Sequence, residues 1–191
     1  MKSSGEELRF NIFSHCSDAE MTAFKECFLP RRLKKGVLLL REGDEANWFG
    51  RTETGALRCL MMDECKEHTV DLFCPGDFFG DYTSFFSKTP SQLFIETTAD
   101  SVVSIASFDR LDKVLAEHPG LERVRRAAAE QVAMGMAWRV RMLLTEKPAA
   151  RYRQLLSRRP EVMDTFPQYM IAQYLGMTPE TLSRVRRLRT R

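Results

Sequence analysis

The segment MTPETLSRVRRLRTR, residues 177–191, sets hydrogen-bonding side chains at helical spacing. Glu180 and Arg184 stand one helical turn apart, where they can pair with each other. In a DNA major groove the same carboxylate accepts from cytosine N4, and the guanidinium grips guanine O6 and N7. Ser183, Arg186 and Arg187 suit phosphate oxygens, contacts that orient a helix without reading sequence. Thr181 shares the outward face, and Thr178 stands where a helix N-cap belongs, followed by Pro179 at the favoured first helical position.

A second stretch, PGDFFGDYTSFFSKTPSQLF at residues 75–94, combines a glycine turn with a short helix, an arrangement that can cradle a phosphate. It is dense in aromatic side chains: Phe78, Phe79, Tyr82, Phe85, Phe86 and Phe94. Two readings stay open, core packing or a pocket for an apolar or aromatic effector. Lys88 is the nearest cation, and no arginine occurs between Arg58 and Arg110.

The whole chain limits the chemistry further. Its 191 residues are 43% hydrophobic, as expected of a globular protein, and no apolar run reaches the 18 residues of a membrane span. The polar, acid-bearing start does not read as a secretory signal, so a cytoplasmic location without membrane association is expected. Cys16, Cys27, Cys59, Cys65 and Cys74 form no C-x-x-C pair. That favours buried reduced thiols, with a redox or iron–sulfur role as the alternative. His15, His68 and His118 lack metal-site spacing, and His68 reads as an ordinary strand residue. Without a nucleophile–base pair, metal cluster or phosphate loop, neither catalysis nor a cofactor or metal is expected. Charge is uneven: residues 1–120 carry a net −6 and residues 121–191 a net +9, nearly all from arginine. A basic end on an acidic remainder suits a polyanion partner, or a solvated helical surface.

These groups need elements to hold them. From about Lys35 to Phe108 short β-branched and apolar runs alternate with turns, which predicts an antiparallel sandwich or barrel. Gly43, Gly55 and Gly76 fall where its turns need positive φ. A short helix in DRLDKVLAEHPG follows. Then Leu121, Val124, Ala128, Val132, Met136, Val140 and Leu143 recur at steps of three and four, marking a helix to about Glu146. That helix exceeds what a small domain needs, so a two-helix dimer seam is expected, with Ala128 and Gly135 allowing close approach. A short helix in AARYRQLLSRRP comes next. Finally Ile171, Ala172 and Leu175 give one apolar face, Gly176 a turn, and Leu182 and Val185 an inward face at spacing three. Together they predict a helix-turn-helix. The expected fold is α+β: an antiparallel β domain with flanking helices over 1–120, a long dimerisation helix over 121–147, and a helix-turn-helix domain over 148–191.

With these parts in this order, the sequence resembles the Crp/Fnr-type transcriptional regulators over nearly its whole length. The motifs are REGD, TGALR, PGDFFGDY, EHPGLE and PQYMIAQYLGMTPETLSR, with SF…PS and ARY pointing to a short branch. The resemblance implies that the antiparallel β domain over 1–120 is a β-roll. It also implies a homodimer on double-stranded DNA with a two-fold symmetric site, small-molecule effector pockets in the β-rolls, and RNA polymerase as a partner. Glu180 and Arg184 match the family's base-reading pair. Pro179 replaces a further base-reading arginine of the catabolite activator branch, so a different target sequence is expected. No β-hairpin wing is expected before the motif, the chain ends a few residues after Arg187, and the Fnr-type N-terminal cysteine cluster is missing.

In cyclic-nucleotide-binding members a glycine and an acid meet the ribose, and an arginine about ten residues later pairs with the phosphate. Gly80 and Asp81 match the first two. The arginine's place falls around Pro90–Ser91, beside Gln92. Met136 and Ala137 stand where cyclic-AMP binders carry polar groups for the base. The effector pocket that the resemblance implies therefore comprises Phe79, Gly80, Asp81, Lys88, Ser91 and Gln92, with Met136 from the long helix. Losing one partner of a desolvated charge pair costs roughly 2–5 kcal/mol, on the order of 30- to several-thousand-fold in affinity. Cyclic AMP is therefore not expected to bind. Two alternatives stand beside this: a true nucleotide sensor with Lys88 replacing the arginine, and a sensor or scaffold module with a vestigial helix-turn-helix.

Overall fold

The computed structural model describes residues 16–64 and 66–189. His15 and Cys65 lie outside the described residues. Two compact units emerge, one of Ala23–Ala116 and the other of Glu117–Arg191 with the segment up to Thr22.

The first unit is built from two antiparallel four-stranded sheets. One sheet orders β1 (Leu29–Leu33), β8 (Ser101–Ser107), β3 (Trp48–Thr54) and β6 (Phe78–Phe79). The other orders β2 (Leu38–Leu40), β7 (Phe94–Thr97), β4 (Leu57–Asp63) and β5 (Lys66–Phe73). Alternation sends Val103 and Ile105 of β8 inward to meet Leu40, Leu57, Cys59, Phe73, Phe79 and Ile95, and this is the core. Gly43, Gly55 and Gly76 have φ of 90°, 84° and 93°, as their turns require. Cys27, Cys59 and Cys74 are buried thiols, and His68 sits opposite Met61 in the β4–β5 ladder.

The strands begin earlier than the expected Lys35. β1, with sequence LPRRL, lies at a sheet edge, where its register puts Pro30 opposite Ser104. An edge strand tolerates proline and exposed arginines, so it lacks the apolar alternation that marks interior strands.

The helices are α1 (Asp18–Glu26), α2 (Tyr82–Ser87), α3 (Phe108–Glu117), α4 (Glu122–Thr145), α5 (Pro148–Arg158), α6 (Glu161–Thr165), α7 (Gln168–Tyr174) and α8 (Pro179–Arg189). The 24 residues of α4 span roughly 36 Å. Its apolar stripe has two fates. Leu121 and Val124 are buried and Ala128, Val132 and Leu143 half-buried. Among the described residues, Met136 and Val140 are left 50% and 55% exposed; beside the stripe, Leu144 is 79% exposed. Among the described residues no helix is long and apolar enough to cross a membrane.

Candidate functional site

The helix-turn-helix is built by a helix stop and a helix start in close succession. α7 ends with Gly176 at φ 63°; the N–H of Met177 reaches Ala172 O at 3.0 Å and that of Gly176 reaches Gln173 O at 2.9 Å. This is a Schellman closure, and it satisfies carbonyls that the helix end would leave orphaned. Two residues later Thr178 opens α8. Its hydroxyl oxygen accepts from the Thr181 N–H at 3.3 Å, and its carbonyl accepts from Leu182 N–H at 3.0 Å.

Leu182 and Val185 are buried, as are Ile171, Ala172 and Leu175, and α8 packs against α7 and α5. Burying one stripe forces the opposite face outward. Thr178, Glu180, Ser183, Arg184, Arg186 and Arg187 are exposed and Thr181 is half-buried. The Glu180 carboxyl is held below the usual carboxylate range by its own backbone N–H and by the Thr178 hydroxyl. Among the described residues no ion pair joins Glu180 to Arg184, which leaves the guanidinium presented to solvent.

The cassette around Asp81 is organised the other way. Asp81 caps α2, its Oδ1 accepting from the N–H groups of Thr83 at 2.9 Å and Ser84 at 3.2 Å. Its Oδ2 accepts from Ser91 Oγ at 2.8 Å. Asp81 is 4% exposed and Ser91 2%. Ser91 also ties down its own loop. Its N–H donates to Asp44 O at 2.8 Å, and its carbonyl and hydroxyl accept from Gly43 N–H at 2.8 Å and Leu93 N–H at 3.0 Å. Ser84 completes the network, accepting from Ala46 N–H at 2.9 Å and donating to Thr89 O at 2.7 Å.

The structure joins two of the seven pocket residues, Asp81 and Ser91, by a direct hydrogen bond. Phe79 lies in the core, its ring centroid 5.8 Å from that of Phe73 and 5.9 Å from that of Trp48. A Cβ on Gly80 would strike the Phe49 ring, and one on Gly50 would strike Phe79, so each glycine makes room for the other strand's aromatic. Lys88, at φ 57°, ends α2 with its Nζ 3.2 Å from the Phe108 ring centroid, a cation–π contact. Gln92 is exposed, and Met136 belongs to the other unit.

Sequence reasoning missed Ser84, Phe49 and Phe108 in this network. Asp81 ahead of a short helix is a capping signal that was legible, but no local pattern marks the bonds of the Ser84 hydroxyl with Ala46 and Thr89. The rings of Phe49 and Phe108 come from β3 and the start of α3, and nothing local points to them. Among the described residues no group of side chains could hold a metal ion.

Comparison with known proteins adds a domain match and two distant relatives. Residues 30–118 match the cyclic nucleotide-binding domain. A probable transcriptional activator of Rhizobium leguminosarum bv. viciae is 25% identical over 168 residues, covering 82% of this chain and 68% of the relative. The chain is thus similar to regulators of the Crp/Fnr type. The anaerobic regulatory protein of Pasteurella multocida (strain Pm70) is 26% identical over 165 residues, and the match covers 80% of this chain but only 60% of that protein. The Crp/Fnr fold is matched by the solved structure of FixK2 from Bradyrhizobium japonicum. Its TM-score is 0.70 at 19% identity, and the match covers 85% of each chain.

Proposed function

We propose that this protein is a non-enzymatic transcriptional regulator that reads double-stranded DNA as a homodimer on a palindromic site, without cyclic AMP. The observation that carries the reading is the outward face of α8, where Glu180, Ser183, Arg184 and Arg187 are exposed over a buried Leu182–Val185 stripe. Glu180 and Arg184 supply base contacts in the major groove, and Ser183, Arg186 and Arg187 hold phosphates. Thr178 and Thr181 fix the start of the helix. RNA polymerase is the further partner that the family resemblance implies.

The exposed middle of α4 supports pairing. A second copy laid along Met136, Val140 and Leu144 buries side chains that this chain alone leaves half or more exposed. Against cyclic AMP stands the Asp81–Ser91 hydrogen bond, which occupies the carboxylate and serine where a nucleotide's ribose and phosphate would need partners.

A binding selection on random duplex DNA, run with ligand-free protein at two salt concentrations, tests the reading. An enriched palindrome with half-sites about one helical turn apart is expected, with affinity falling steeply as salt rises. Salt-sensitive binding with no enriched sequence would reduce α8 to a basic surface. Calorimetry with cyclic AMP is expected to show no binding heat, and micromolar affinity would overturn that part.

A further inference from the structure

The segment between α4 and α5 is two residues long. Glu146 (φ −99°, ψ 144°) and Lys147 (φ −72°, ψ 153°) are both extended, and α5 starts at Pro148. Left to themselves, two extended residues between helices form a hinge. In this chain the Arg151 side chain spans it.

The Arg151 guanidinium donates four hydrogen bonds to backbone carbonyls. Nε reaches Glu146 O at 2.9 Å and Nη2 reaches Leu143 O at 2.7 Å, both at the C-terminal end of α4. Nη1 reaches Leu175 O at 3.0 Å and Gly176 O at 3.2 Å, in the turn that precedes α8. One cation thus serves two helix C-termini, where orphaned carbonyls and the helix dipole both favour positive charge. The planar fork of donors suits this task, and an ammonium, as a point charge, does not.

Two neighbours reinforce the contact. Arg139 of α4 donates to Tyr174 O at 2.8 Å with its guanidinium 4.0 Å from the Tyr174 ring centroid. A Cβ on Gly176 would come within 2.9 Å of Leu143 Cδ2 and 3.1 Å of Arg151 Nη1, so the turn sits directly against the helix end.

We propose that Arg151 is a positioning residue that locks the turn before the reading helix onto the end of α4. The angle between the pairing helix and the reading helix is then set by the fold and not by a ligand. The consequence for DNA is sharp discrimination of half-site spacing by the ligand-free protein. That consequence rests on the DNA reading above, whereas the lock itself is measurable without DNA.

Trp138 supplies the DNA-free readout. Its Nε1 donates to Gln154 Oε1 at 3.0 Å, and the Arg158 guanidinium lies 4.6 Å from its ring centroid, both partners on α5. The sequence has two tryptophans, so Trp48→Phe leaves Trp138 as the sole emitter. In that background Arg151→Ala and Arg151→Lys are each expected to raise acrylamide quenching of Trp138 severalfold, with the far-UV circular dichroism unchanged. On the palindrome recovered by selection, both variants are expected to lose about tenfold to a hundredfold in affinity, part of the roughly 10²- to 10⁴-fold that bivalent geometry can supply. They are expected to bind a site with one extra base pair between the half-sites as well as the palindrome, and a single half-site as wild type does.

Wild-type quenching together with wild-type spacing discrimination in both variants would overturn the lock. So would an equal loss on every DNA, half-site included, in a variant that quenches as wild type. Should Arg151→Ala fail to fold, Arg151→Lys decides the matter, because it keeps the stem and the charge. Wild-type behaviour in Arg151→Lys then overturns the proposal. Should the wild-type protein select no sequence, the DNA reading fails, and quenching alone judges the lock.

Discussion

The reading helix and the Asp81 cassette both place polar side chains at the start of a helix, and they direct those groups oppositely. In α8 the apolar stripe is buried and the polar stripe faces water, so Ser183 and Arg184 remain presented to solvent. In the cassette the polar atoms face one another: Asp81 accepts from two backbone N–H groups and from Ser91, and Ser91 and Ser84 hold the adjoining loops. A group that keeps its hydrogen-bonding capacity for solvent can exchange water for a ligand at little cost. A buried group already satisfied must first lose protein partners. The same residue types therefore leave a solvent-facing surface in one region and make structural reinforcement in the other.

Substituting Asp81 is the strongest way to break that comparison. Asp81→Ala removes a cap and leaves two backbone donors and a serine hydroxyl without their acceptor, at an expected cost of about 2–4 kcal/mol in stability. Chemical denaturation checks it. A cassette kept open for a ligand would instead lose little stability.

Arg184→Ala is the matching change in the reader. It should leave the melting temperature near wild type and cost about 1–3 kcal/mol in DNA affinity, with specificity relaxed at one base position. Quantitative binding to a panel of single-base variants separates this from a uniform loss, which would make Arg184 a phosphate contact.

Lys88→Ala sharpens the cassette side. Losing its cation–π contact with Phe108 should cost about 0.5–1 kcal/mol. Neither form should show a thermal shift with cyclic nucleotide. A shift present in wild type and absent in Lys88→Ala would revive the lysine as a phosphate partner.

The smallest effect concerns Glu180. Its folded-state pKa is lowered, so its contribution to stability is present above the unfolded glutamate value and disappears as pH falls through the lower folded value. Across that acid window Glu180→Gln should show a flatter loss of melting temperature than wild type, and the two profiles should converge below it.

The order of parts was readable because it depends on local patterns. Ile171, Leu175, Gly176, Thr178, Leu182 and Val185 each carry a helical, turn or capping preference that acts within a few residues. β1 was harder to see, since an edge strand with Pro30 and two arginines needs only its partner β8 to be a strand. The stripe of α4 was legible as a helix face, but its burial at Leu121 and exposure at Val140 were not. Periodicity reports a face, and only the packed chain shows what covers it.

By itself the sequence determined the order of the main elements, the last helix with its outward Glu180 and Arg184, and the missing arginine between Arg58 and Arg110. These follow from residue type and short-range spacing. Tertiary structure alone decided that Asp81 and Ser91, ten residues apart, satisfy each other. It also decided that Lys88 lies on Phe108 and that Arg151 joins the end of α4 to the turn before α8. Those contacts depend on where a flexible side chain finds its acceptor after loops and helices have closed around it. No local preference encodes that distance.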